Sequence, residues 1–228
     1  MSPDERPEQR DQYDRLDQPD RFEVESLVRP LLTRSAELGF IGPGPIQDHI
    51  DHALRLTDAV RDFVAEPIDI LDLGSGGGLP GLVIAASLPS HPVALLDAQH
   101  RRCEFLRSAT EELRPDGSLT VIEGRAEVLA RATQHSDRFG LVVARSFGPP
   151  GSVAECAARF LVIDGILAVS EPPVADAQRW PAEKVRSLGL AIVERRDAPL
   201  PVMILKKVSA TPDRYPRREG VPTRQPLW

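Results

Sequence analysis

The stretch Ile70–Gly81, ILDLGSGGGLPG, constrains this chain more than any other. An apolar run breaks into a turn holding five glycines in eight residues, and LVIAASL then resumes an apolar pattern. Such a passage predicts a strand, a tight turn and a helix, the place where open α/β sheets take nucleotide-like ligands. Glycine there allows positive φ and close approach to the main chain, and Pro80 suits a first helical turn, where its missing N–H costs nothing. A purely structural turn is the alternative reading, yet so many glycines carry an entropic cost that ordinary turns avoid.

From Ile68 onward, β-rich runs such as PVALLD, LTVIEG, FGLVVARS and GILAVS alternate with amphipathic ones such as RRCEFLRSATEEL and SVAECAARFL. That repeat predicts a parallel sheet with helices on both faces. The last two apolar runs, AIVERRD and PVMILKKV, are joined by APL with no helix between them. An antiparallel C-terminal strand on a parallel sheet is the pattern of a class I, Rossmann-like methyltransferase, whereas a dinucleotide dehydrogenase more often continues β-α. This domain is expected over 67–208. Before it, a helical extension over 26–66 is expected, with one short helix from Ser26 to Leu38 interrupted by Pro30 and another from Ile46 to Val64.

The 228 residues are 41% apolar and 27% charged, enough for one core and too few polar residues for a disordered chain. No run approaches a membrane span and the N-terminus lacks the apolar core of a signal peptide, so a cytoplasmic location is expected. Two cysteines and five scattered histidines offer no metal-ligand spacing, so no metal is implied. The net charge of −6 argues against a nucleic-acid partner, but it is unevenly placed. Residues 1–25 hold nine acids and four bases and are expected to be a disordered acidic tail, while 206–228 hold six bases and two acids. The segment 209–228 is expected to be a basic, Pro-rich, irregular tail, with docking onto the domain left open. No exposed apolar stripe is evident, so a monomer is expected.

Candidate site residues follow from the turn outward. Gly74 and Gly76 fit the start of G-x-G-x-x-G, but Leu79 stands where the third glycine of a dinucleotide turn belongs. Asp72, just before the turn, would repel a pyrophosphate and suit a cation, which favours S-adenosylmethionine over a dinucleotide. Asp97 ends the next strand 23 positions beyond Gly74, where an acid accepts ribose hydroxyls; alone it would read as a solvated loop residue. Ala126 and Glu127 follow the third strand, where a loop closes on an adenine ring, though helix capping is an equal reading. Arg145 ends the fourth strand and faces the ligand side of such a sheet, either as a functional group or in a salt bridge. Phe147 follows it as a surface for stacking on a base.

Four segments resemble the RsmG (GidB) family of bacterial 16S ribosomal-RNA guanine-N7 methyltransferases: DLGSGGGLPG, LLDAQHRRCEFLR, GRAE with VVARSF, and the tail YPRREGVPTRQPL. The resemblance spans about residues 47–226, and the tail is its most specific part. It implies a methyl donor held by Gly74, Leu79, Ala126, Glu127 and Arg145. It implies an RNA-facing side carrying Tyr215, Arg217, Arg218 and Arg224, and the small ribosomal subunit as partner. There are departures. His52 stands where the family has an aspartate, an Asn-Leu-Thr segment is missing, and Ser170-Glu171-Pro172-Pro173 replaces a Lys-Gly after the fifth strand. They leave the donor site intact and open two alternatives: a diverged paralogue acting on another RNA site or a small molecule, and a non-catalytic cofactor-binding protein. Guanine N7 has a lone pair and no proton to lose, so no general base is expected, and Arg145 would serve by positioning.

Overall fold

A computed structural model describes residues 19–174, 176, 178–198 and 200–228. The acidic segment expected to be disordered therefore lies mostly outside the described residues. Its end, however, is ordered: helix α1 runs Arg21–Glu37 rather than starting at Ser26. Asp20 accepts from the Glu23 N–H at 2.8 Å while Glu23 accepts from the Asp20 N–H at 2.9 Å, a reciprocal cap that fixes the start. Val24, Val28, Leu31 and Leu32 are buried on one face, and this burial carries the helix through Pro30. Helix α2, Ile46–Val60, buries Ile50, Ala53, Leu54, Leu56, Ala59 and Val60, and a single 3₁₀ turn, Arg61–Phe63, follows it.

The remaining elements alternate as the sequence predicts. Strand β1 (Ile70–Leu73), helix α3 (Gly81–Ser87), β2 (Val93–Asp97), α4 (His100–Leu113), β3 (Leu119–Glu123) and α5 (Ala126–Leu129) form the first half. Then come β4 (Phe139–Ala144), α6 (Pro150–Ala157), β5 (Leu161–Ser170), α7 (Ala182–Arg186), β6 (Leu190–Arg196), β7 (Val202–Lys207) and a short α8 (Val221–Arg224). One seven-stranded sheet has the order β3-β2-β1-β4-β5-β7-β6. The pairs from β3 through β5 are parallel, and β7 enters antiparallel between β5 and β6. The hairpin expected at the C-terminus of the domain is thus present.

Two cores flank this sheet, because successive side chains of a strand point to opposite faces. Ile70, Leu95, Leu141, Val143, Ile166 and Ile204 pack with α1 to α4. Leu71, Leu73, Leu96, Val142, Leu167 and Leu205 pack with α5 to α7. Strands β1 and β2 are buried along their whole length, as parallel strands covered on both faces must be.

The basic tail is irregular apart from α8 and lies docked on the domain. Gly151, in the first turn of α6, is the reason it can lie where it does: a Cβ there would stand 2.8 Å from the Trp228 nitrogen and 3.0 Å from the Leu227 nitrogen. The Ser152 hydroxyl donates to the Pro222 carbonyl at 2.6 Å, and Arg159 donates to that of Tyr215 at 3.0 Å. The Trp228 indole donates to the Arg179 carbonyl at 2.9 Å and meets the Trp180 ring edge-on at 6.2 Å.

Candidate active site

Three cavities lie side by side at the C-terminal ends of the parallel strands. The first, about 320 Å³, is walled by Asp97, Gly124, Ala126, Glu127 and, from the tail, Thr223. The second, about 360 Å³, follows the glycine turn through Gly74, Gly76 and Leu79 to Arg145, with Phe40 and His49 opposite. The third, about 340 Å³, is walled by His52, Arg145, Phe147, Ser170, Glu171 and Arg179. Ser146 lines all three, and Gly74 and Arg102 line the first two.

The turn spends its donors inside the fold. Gly74 and Ser75 donate to the Leu96 carbonyl at 2.9 and 2.8 Å, and Gly78 and Leu79 donate to that of Ser75 at 2.7 and 3.2 Å. Gly76, at φ +54°, donates to Oδ2 of Asp97 at 2.9 Å. A pyrophosphate site needs such N–H groups free. What this turn offers instead is carbonyl oxygen and carboxylate, which suits positive charge.

Asp97 is buried and doubly held, its Oδ1 taking the Gln99 N–H at 2.8 Å while Arg102 stands 3.7 Å from Oδ2. Each oxygen keeps a lone pair on the wall of the first cavity. Asp72 behaves differently from the sequence expectation. Its Oδ2 accepts the Gly81 N–H at 2.9 Å at the start of α3, it is fully buried, and it is not on the wall of any of the three cavities. Burial pushes its carboxyl up to about 7, the nearby Asp97 adding to this while Ser75, the Gly81 N–H and Arg145 oppose it. Its Oδ1 has no partner. Gly81 makes this contact possible, since a Cβ there would lie 2.5 Å from Asp72 Oδ2 and 2.2 Å from Leu95. Asp72 therefore acts from beneath the turn, as a helix anchor.

Ala126 and Glu127 open α5 and are both buried. Glu127 accepts from the Gly220 N–H at 2.8 Å, so the wall of the first cavity is tied to the tail. Arg145 follows β4, half-buried, with Nη2 donating to Nδ1 of His49 at 3.0 Å. Nε2 of His49 lies 3.1 Å from the Gly42 carbonyl, which assigns the proton to Nε2 and leaves Nδ1 to accept. Arg145 thus has a neutral hydrogen-bond partner rather than an acid; burial lowers its pKa and Asp72 resists that. Phe147 lies over the turn, its ring 2.5 Å from where a Gly74 Cβ would stand, between the first and third cavities.

The structure divides the tail residues expected on the RNA-facing side. Arg217 donates through Nε and Nη2 to the fully buried Glu155 at 2.9 and 2.7 Å, and its own N–H donates to the same carboxylate at 2.6 Å. Tyr215 packs on the second core. Both are committed inside the fold, because Glu155 needs a cation and the ring needs cover. Arg218 and Arg224 are exposed. Sequence reasoning assigned no role to Ser146, Arg102, His49 or Thr223. Only Arg102, in the quoted LLDAQHRRCEFLR, and His49, three residues before His52 on one helix, left a signal there.

The sheet with its antiparallel β7, the glycine turn after β1 and cavities along the strand ends define a class I methyltransferase fold. Two solved structures share it: an O-methyltransferase from Bacillus cereus in complex with SAH, and a putative O-methyltransferase from Klebsiella pneumoniae. The first is 16% identical, with TM-score 0.56 over 88% of this chain and 97% of that one. The second is 17% identical, with TM-score 0.54 over 88% and 96%. Residues 25–170 match the model of the GidB family, rRNA small subunit methyltransferase G, and the chain belongs to that family. A relative named ribosomal RNA small subunit methyltransferase G from Deinococcus deserti is 34% identical over 70% of this chain and 68% of its own length. One of the same name from a Thermotoga species is 34% identical over 69% and 71%. Among the described residues no helix is long and apolar enough to cross a membrane, and no group of three or more metal-ligating side chains occurs.

Proposed function

We propose that this chain transfers the methyl group of S-adenosylmethionine to N7 of a guanine in 16S rRNA of the small ribosomal subunit. The observation that carries this reading is the meeting of two donor-side cavities with a third at Ser146, above a turn most of whose N–H groups are already used. Bound there, S-adenosylmethionine supplies an electrophilic methyl group on a sulfonium.

The residues present fit such a ligand. Asp97 has lone pairs for ribose hydroxyls, Ala126 and Glu127 wall the adenine end, and Gly74, Gly76 and Leu79 line the path toward Arg145. Arg145, without an acid of its own, takes a carboxylate of the donor or holds the acceptor. No side chain has to remove a proton, since N7 attacks through a free lone pair. The work of the site is then to hold nucleophile and methyl about 3–3.5 Å apart and in line. Exposed Arg218 and Arg224 meet RNA phosphates, and Phe147 offers a stacking face. The protein works as a cytoplasmic monomer with the small ribosomal subunit as its partner.

Radiolabelled methyl transfer to 30S subunits from a strain lacking this gene, followed by mapping of the modified base, tests the reading. Label on one guanine N7 is the expected result. Intact donor binding with no label on subunits would overturn it and direct the search to other RNAs or metabolites.

A further inference from the structure

The third cavity holds a carboxylate that the reaction does not need. The Glu171 side chain is only 3% exposed, and the residue follows β5 where the family resemblance leads one to expect Lys-Gly. A single nitrogen, Nε of Arg179, donates to both its oxygens at 3.0 and 2.8 Å. The Glu171 N–H donates to the Pro201 carbonyl at 2.8 Å, which fixes the main chain beneath it. Arg179 in turn is anchored through its own carbonyl by the Trp228 indole. Each carboxylate oxygen can accept more than one hydrogen bond, so a rigid carboxylate with acceptor capacity to spare lines the third cavity. Its spare acceptor sites favour a group that brings donors over one that brings acceptors.

We infer that Glu171 reads the Watson–Crick edge of the acceptor guanine, taking its N1–H and N2–H, with Arg179 as the positioning residue. The inference rests on the methyl-transfer reading above. Guanine presents two parallel donors on that edge, a match for the two oxygens of one carboxylate. Adenine presents an acceptor at N1 and is repelled. Topology supports the orientation. The sheet runs β2-β1-β4-β5, the donor-side cavities lie over β2, β1 and β4, and Glu171 stands beyond β5. N7 lies on the adjoining Hoogsteen edge, and its lone pair points away from the N1–H and N2–H donors. A guanine held at β5 by its Watson–Crick edge therefore leaves N7 clear of the carboxylate and free to face Ser146, which borders all three cavities. Phe147 borders the same space as a stacking face. Nε2 of His52 lies 3.1 Å from the Ser170 hydroxyl, and burial lowers its pKa to about 4, so it adds no positive charge to compete for the carboxylate.

The test uses the full chain, 30S subunits from a strain lacking the gene, and guanosine, inosine and adenosine as competitors of methyl transfer. Inosine keeps N1–H and lacks the N2 amine. The wild-type protein is expected to be inhibited by guanosine roughly tenfold more strongly than by inosine, the worth of one hydrogen bond to a charged group, and least by adenosine. In Glu171→Gln, whose amide offers one acceptor in place of two, the guanosine-to-inosine ratio is expected to fall toward one while affinity for S-adenosylmethionine is unchanged. A salt bridge of purely structural value would alter stability and leave the ratio alone. The inference is overturned if Glu171→Gln keeps the wild-type ratio, or if the wild type shows no preference for guanosine over inosine, including no inhibition by either. Absence of wild-type transfer to the subunits would instead overturn the methyl-transfer reading.

Discussion

The glycine turn and the basic tail both border the site, and they are built on opposite plans. The turn is held by its own neighbourhood: nearly all its main-chain donors end on residues from Ser75 to Asp97. The tail has almost no regular structure and is held by groups from distant elements, among them the side chains of Glu127, Arg131, Ser152, Glu155 and Arg159 and the carbonyl of Arg179. Local hydrogen bonding gives the turn its shape whatever packs above it. The tail's shape depends on a few long-range anchors, so it is where single changes do most damage.

Arg217→Met breaks the strongest of those anchors. It leaves Glu155 buried without a cation, and removing one member of a buried pair costs about 3–5 kcal/mol. Urea unfolding should show a loss of that order, and adding Glu155→Leu should restore most of it. If the double variant is as unstable as the single one, the tail is held by packing rather than by charge.

The turn should respond to pH instead. Asp72 has an ordinary value of 3.8 and a folded value raised to about 7, so between these the folded chain holds a proton that the unfolded chain has released. The stabilisation is complete in acid and is lost as pH rises through about 7. Asp72→Asn removes this dependence, so its melting temperature should gain on that of the wild type as pH rises from 5 to 8. Parallel curves would mean that the carboxylate is already ionised beneath the turn.

The smallest effect is expected from the two exposed tail arginines. Arg218→Ala and Arg224→Ala should each leave stability unchanged and reduce the slope of log affinity for 30S subunits against log salt by about one. An unchanged slope would assign the tail a purely structural role.

This contrast also explains what the sequence could disclose. The turn's glycines, Asp97 at the next strand end and Arg145 after the fourth strand are local patterns, and the structure gathers them along one edge of the sheet. The tail could be read only as basic and rich in proline. Nothing in YPRREG says that Arg217 goes inward and Arg218 outward, because that choice is made by Glu155 on a remote helix. The missed start of α1 was legible in principle, since Asp20-Arg-Phe-Glu23 has capping-box spacing, but the surrounding acidity outweighed it. Ser146 at φ +56° and the bare face of Gly151 are consequences of packing, with no pattern of their own in the chain.

The pair that anchors the tail is unequal: the Glu155 side chain is fully enclosed, whereas that of Arg217 is 27% exposed. Water can take up an abandoned arginine there, but it cannot reach an abandoned glutamate. A lineage that sheds this ion pair thus has one passable order of substitutions, with position 155 changing before position 217. Burial in this way sets a direction on the evolution of the tail, allowing it to drift from one end of the pair and not from the other.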